Sequence, residues 1–274
     1  RFGDRVVVEH PCFPPLVDLL ETLSAQVVGV PLDEEGLVPD ALAEALRSPV
    51  GAVLLQPRAQ NPTGVTMSRQ RARQLAALLR PTSALVIEDD SAHGLSPTPS
   101  LSLGEWLPSR TVHIRSFSKS HGPDLRLAAV SGSADVLQAA EARRHLGQGW
   151  SSRLLQRILL GLLTDAGAVA TVEAAGREYA RRRGLLVQAL AERGVSVGGC
   201  EGMNVWVPVQ DEAAAIVRLA SQGVAVSAGA PYHVLPEAQG HVRVTSGLVR
   251  SGHAEVADRI AEAARTVGWG SRAR

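Results

Sequence analysis

The chain has 274 residues, 45% of them hydrophobic and 20% charged, with a formal net charge of +1. That length can bury one large core or two smaller ones. So even a charge balance excludes nucleic-acid binding through bulk positive charge, and no apolar run is long enough to span a bilayer, so no membrane partner is expected. Cys12 and Cys200 have neither metal-ligand nor disulfide-framework spacing, so no metal is expected; they read as small buried hydrophobes in a reducing cytoplasm.

In chain order, β-branched runs at residues 5–9, 26–30, 52–56, 84–88, 111–116 and 127–131 predict strands. Between them, apolar residues three and four apart predict helices over 15–23, 39–46 and 68–79. The strand at 84–88 opens on the continuously apolar Ala84-Leu85-Val86-Ile87, as expected where helices cover both faces of a mainly parallel sheet. The fold class is therefore α/β, and ligands in such folds lie beyond the carboxyl ends of the strands. Helices follow at 136–146, 151–163 and 168–193. A smaller α+β pattern then has strands at 205–209, 224–227 and 241–245 and helices at 211–222 and 253–267. The composition shift around Gly194–Gly202 divides the chain into a larger domain, 1–195, and a smaller one, 196–274.

Lysine usage is the outlier. Of 28 basic residues 27 are arginine, and Lys119 is the only lysine. It lies in Ser116-Phe117-Ser118-Lys119-Ser120-His121-Gly122-Pro123-Asp124-Leu125-Arg126, directly after a predicted strand. A lysine amine forms a Schiff base with a carbonyl when its surroundings favour the neutral form. Hydroxyls, loop amides and an arginine fork in the same loop are what a phosphate monoester needs. An aldehyde that carries a phosphate satisfies both.

This segment resembles the lysine loop of fold-type I pyridoxal-phosphate enzymes, the aminotransferase class I/II group. It is most similar to the aminotransferase-like domain of MocR-type (GntR family) regulators, which follows a winged-helix DNA-binding domain. The resemblance implies pyridoxal 5'-phosphate as cofactor, with Lys119 forming the internal aldimine and Ser116 and Arg126 contacting the phosphate. It also assigns Asn61, of Asn61-Pro62-Thr63-Gly64, to the cofactor's phenolic oxygen, and Phe13 to stacking on the ring. The acid facing the ring nitrogen matches Asp89 of Glu88-Asp89-Asp90, with Asp90 one residue off and turned by strand alternation to the other face. Arg243, in His241-Val242-Arg243-Val244-Thr245, matches the arginine that binds a substrate carboxylate. The family's glycine- and hydroxyl-rich phosphate loop would precede Arg1. Its tyrosine after the aspartate is replaced by Ser91 and Ala92, with His93 just beyond.

Three functions are expected to compete. An aminotransferase would move an amino group between an amino acid and a 2-oxo acid. A MocR-type effector domain would bind the same ligands without efficient turnover, with DNA as a partner only if a winged helix lies upstream. A remnant would have lost the cofactor. The resemblance further implies a homodimer.

Overall fold

The computed structural model describes residues 3–268. Strands β1 (Arg5–His10), β2 (Gln26–Asp33), β3 (Gly36–Leu37), β4 (Ala52–Leu55), β5 (Leu85–Asp90), β6 (Thr111–Ser116) and β7 (Ala128–Ser131) form one sheet in the order β3-β2-β1-β4-β5-β6-β7. The inner pairs are parallel, and β3 and β7 are antiparallel at the two edges. Helices α1 (Pro14–Thr22), α2 (Pro39–Ala45) and α3 (Arg69–Leu79) connect the first strands. Proline opens α1 and α2, where its missing N–H leaves no bond unmade. Ser68 caps α3 by accepting from the Arg71 N–H.

Alternation splits the sheet into two faces. Val7, Val53 and Val86 pack on one side with Leu42, Leu75 and Leu79 of α2 and α3. Val6 and Val8 pack on the other with Leu20 of α1. Leu42, Leu75 and Leu79 are essentially inaccessible, each stabilising the fold by about 2 kcal/mol over an exposed leucine.

The second half begins with α4 (Ala134–His145), α5 (Arg153–Thr164) and the long α6 (Ala166–Ala191). Strands β8 (Asn204–Val209), β9 (Ser227–Ala228) and β10 (Gly240–Thr245) then form an antiparallel sheet in the order β8-β10-β9. Helices α7 (Glu212–Ser221) and α8 (His253–Ala264) cover one face of it. The core of this unit takes in Leu186 and Leu190 from the last turns of α6. Among the described residues, no single helix is long and apolar enough to cross a membrane.

Three local expectations are revised. The strand expected at 224–227 is reduced to Ser227–Ala228, because Gly223 takes φ +77° and the Val224 N–H closes the end of α7 on Leu219 O. The strand expected over 84–88 runs on to Asp90, so Asp89 and Asp90 also lie inside it, and Glu88 and Asp90 are fully buried. The β2–β3 hairpin was not foreseen; Arg71 pins it through Asp33 and the carbonyls of Gly36 and Leu37.

Candidate active site

The carboxyl ends of β1, β4, β5 and β6 meet a cavity of about 260 Å³ on the α1 face of the large sheet. Leu54, Ile87 and Ile114 floor it, Phe13 and Leu16 wall it, and Asp89 is a carboxylate at its border. Register explains the selection. Leu54 pairs with Ile87, so the residues two further on, Gln56 and Asp89, project from the same face. An apolar slot with a carboxylate at its border suits a flat, cationic heteroaromatic ring.

The acidic triplet divides by face. Gln56 Nε2 donates to Asp89 Oδ2 at 2.7 Å. Burial raises the Asp89 carboxyl above the ordinary range, against the Gln56 bond and the positive charge of Lys119. Asp90 points to the opposite face, where Arg58 donates to both its oxygens at 2.7 and 2.6 Å. There burial is outweighed by hydrogen bonds from His113 and Arg58, which hold the carboxyl well below its usual range. His113 lies between Glu88 and Asp90 at 3.0 and 3.3 Å, and these carboxylates raise its pKa to about 9. His93 joins this network, its Nδ1 at 2.7 Å from Arg58 Nη2 and 3.2 Å from Asp90. It is thereby directed away from the cavity that Asp89 borders. Of the two aspartates, only Asp89 lines that cavity.

Lys119 follows β6 in an exposed turn and borders a second cleft with Asn61, Ser91, Tyr179 and Asn204. Asn61 Oδ1 accepts from Asn204 Nδ2 at 3.2 Å and from Arg243 Nη1 at 3.3 Å. Arg243 Nη2 donates to Ser227 Oγ at 3.1 Å, and the guanidinium lies 5.6 Å from the Tyr232 ring centre. Its Nε is buried without a hydrogen-bond partner among the described residues. Ser116 Oγ accepts from the Ser118 N–H at 3.3 Å. Arg126 is exposed with left-handed backbone, φ +47°, and makes no hydrogen bond or ion pair among the described residues. The structure thus groups Phe13 with Asp89, Lys119 with Asn61, and Asn61 with Arg243. Ser116 and Arg126 flank the lysine along its loop without bonding to either group.

The turn carrying Asn61 is docked as well as tight. The N–H groups of Cys200 and Glu201 both donate to Gly64 O, at 3.0 and 3.1 Å. Gly64 takes φ +75° against the Glu201 backbone, so a side chain there meets both strain and a clash.

Two residues of the cavity were not foreseen. Glu9, in the run Val6-Val7-Val8-Glu9, is buried and accepts from the Gln56 N–H at 3.1 Å; burial pushes its pKa up to about 8. Gln56 bonds Glu9, Asp89 and, through Oε1, the Asn61 N–H at 2.8 Å. An acid closing a β-branched run was the available signal for Glu9. For Gln56 there was none beyond its place at a strand end.

The family model described as aminotransferase class I and II matches residues 2–260. The chain belongs to that family. It is 35% identical over 251 residues to the vitamin B6 salvage pathway transcriptional repressor PtsJ of Salmonella typhimurium, covering 89% of this chain and 57% of that protein. It is 30% identical to the transcriptional regulator TauR of Rhodobacter capsulatus, with 83% and 48% covered. It is also 30% identical to the aminotransferase swnA of Metarhizium robertsii, with 75% and 46% covered. The chain spans about half the length of these curated relatives. Among solved structures, the alpha-aminoadipate aminotransferase LysN of Thermus thermophilus, complexed with N-(5'-phosphopyridoxyl)-L-leucine, superposes with a TM-score of 0.85 at 25% identity, covering 96% and 71%.

Proposed function

We propose that this chain binds pyridoxal 5'-phosphate at Lys119 and accepts an amino acid or 2-oxo acid beside it. The observation that carries this is one arrangement: the chain's only lysine shares a cleft with Asn61 while its charge acts on Asp89. The donor set fits the cofactor. With Asn61 Oδ1 occupied by Asn204 and Arg243, its Nδ2 is left as a donor for a phenolic oxygen. Asp89 is the acid for a protonated ring nitrogen and Phe13 the stacking wall. Ser116 and Arg126 supply a hydroxyl and a guanidinium for the phosphate. Arg243, with an unpartnered Nε, holds a carboxylate. When bound, the cofactor supplies an electron sink for charge developing at a substrate α-carbon. Lys119 Nζ is the base that takes and returns a proton there.

Two uses of this site have support. Amino transfer is the reading in which Lys119, Asp89 and Arg243 act in turnover, as the aminotransferase relatives suggest. Effector sensing, as in a MocR-type regulator, is favoured by the 35% identity to a repressor across 89% of the chain. It is favoured also by Ser91 and Ala92, which stand in the cleft at the places where the family has its phenol. That repressor's name makes vitamin B6 itself a candidate signal. The proposal includes a homodimer in the cytoplasm, a cofactor-binding unit over 1–195 and a smaller unit over 196–274. DNA is a partner only through a winged helix upstream.

The test is the absorption spectrum of the protein with added pyridoxal phosphate, for wild type and Lys119→Ala. A visible band that borohydride fixes covalently, and that the variant lacks, is expected. With no second lysine to imitate it, the same band in Lys119→Ala overturns the assignment. Adding amino acids one at a time then separates turnover from sensing.

A further inference from the structure

The groups proposed for the cofactor's ring nitrogen and phenolic oxygen, Asp89 and Asn61, come from different strand ends, and one side chain joins them. Gln56, directly after β4, gives its Nε2–H to Asp89 Oδ2 at 2.7 Å and takes the Asn61 N–H on Oε1 at 2.8 Å. Its own N–H goes to Glu9 Oε2 at 3.1 Å. Gln56 is buried, with 8% of its surface exposed, so these bonds are shielded from competing water. The amide orientation is determined by its partners: a flip would set Oε1 against the Asp89 carboxylate and the NH₂ against the Asn61 N–H. Gln56 is therefore a rigid spacer whose two ends hold the two groups at a set separation.

We propose that Gln56 is a positioning residue that sets the distance between Asp89 and Asn61 and orients the Asp89 carboxyl by bonding its Oδ2. This rests on the cofactor reading above. The electrostatics follow from the surroundings. Burial and the neighbouring Asp90 favour the neutral acid at Asp89, and the Gln56 hydrogen bond is the largest opposing influence. Glu9, close by and neutral up to about pH 8, adds no charge to that balance at lower pH. With Gln56 donating, Asp89 presents a negative oxygen to the cavity and can hold a ring nitrogen protonated. Without it, the ring nitrogen loses its proton more readily. The lysine-linked nitrogen, relieved of a neighbouring positive charge, then keeps its own proton to higher pH.

The experiment compares wild type, Gln56→Met and Gln56→Glu. Methionine keeps the chain length and removes both hydrogen bonds. Glutamate keeps the acceptor for Asn61 and sets a second carboxylate against Asp89. Each protein is titrated with pyridoxal phosphate, and the visible band of the lysine-bound cofactor is followed against pH. The expected order is graded: affinity falls about 10-fold in Gln56→Met and further in Gln56→Glu, while the midpoint of the band moves to higher pH in the same order. Thermal melting of each apo-protein separates this from a folding defect, since lower stability alone leaves the midpoint unmoved. Should Gln56→Met not fold, the Gln56→Glu midpoint decides. A wild-type band with unchanged midpoints in the variants overturns the positioning role and leaves the cofactor site standing. No band in wild type overturns both.

Discussion

Arg243 donates from Nη1 to Asn61 Oδ1 across 3.3 Å, joining β10 of the three-stranded sheet to a turn 182 positions earlier, after β4 of the seven-stranded one. Arg243 pairs with Trp206 and Ser227 in the small sheet, so its side chain lies on the face opposite the Val242 and Val244 core. In the function proposed above, this guanidinium, held by Ser227 and Asn61 and with Nε unpartnered, is the group assigned to a ligand carboxylate.

Replacing it with lysine keeps the charge and removes the fork. In Arg243→Lys, the amino-acid concentration needed to perturb the cofactor band is expected to rise roughly 10- to 100-fold, from the loss of one or two charge-assisted hydrogen bonds. Pyridoxal phosphate affinity should stay near wild type. A parallel fall in both would mean that Arg243 braces Asn61 rather than binding the ligand.

Much of this arrangement was legible in the sequence because the informative residues are polar groups placed at the ends of apolar strands. Lys119, Asn61 and Asp89 each follow or close a β-branched run, and Arg243 lies within one. The hub at Gln56 was not legible, because its meaning depends on the β1-β4-β5 register, which brings Glu9, Gln56 and Asp89 side by side. His93 shows the converse. It lies three residues from Asp90, and the structure spends it on that aspartate and Arg58. Leu186 and Leu190, in the last turns of α6, pack in the second core, a contact that an unbroken helical pattern does not announce.

Adjacent aspartates on opposite faces should part company on mutation. Asp90 is fully buried and holds Arg58 through both oxygens, with His113 and His93 against it. Asp90→Asn strands the Arg58 and His113 cations and is expected to lower stability by about 3–5 kcal/mol, read by urea denaturation. Asp89→Asn removes a carboxylate that burial already disfavours, so its effect on stability should stay within about 1 kcal/mol. Its effect belongs to the cofactor, whose band should weaken or titrate at higher pH. The reverse pattern, a stable Asp90→Asn protein that has lost the band, would exchange the two assignments.

The same buried charges give the fold a dependence on alkaline pH. His113 titrates at about 9 in the folded chain against 6.5 when free, because Glu88 and Asp90 bond both its ring nitrogens. A raised folded pKa means that the native state holds a proton the unfolded chain has released, so stability falls as pH rises between these values. The stabilisation is complete below pH 6.5 and gone above about pH 9, with an upper bound of about 3 kcal/mol. Glu9 has the same sign over a lower window: it stays protonated to about pH 8 when folded and ionises near 4.5 when unfolded. Urea denaturation at pH 6 and pH 9.5 is therefore expected to show a less stable protein at the higher pH. His113→Asn should flatten the upper part of the decline and Glu9→Gln the lower part. A wild-type stability that holds level across the range would mean that the imidazole is neutral between its two carboxylates and that Glu9 is solvated in the folded chain.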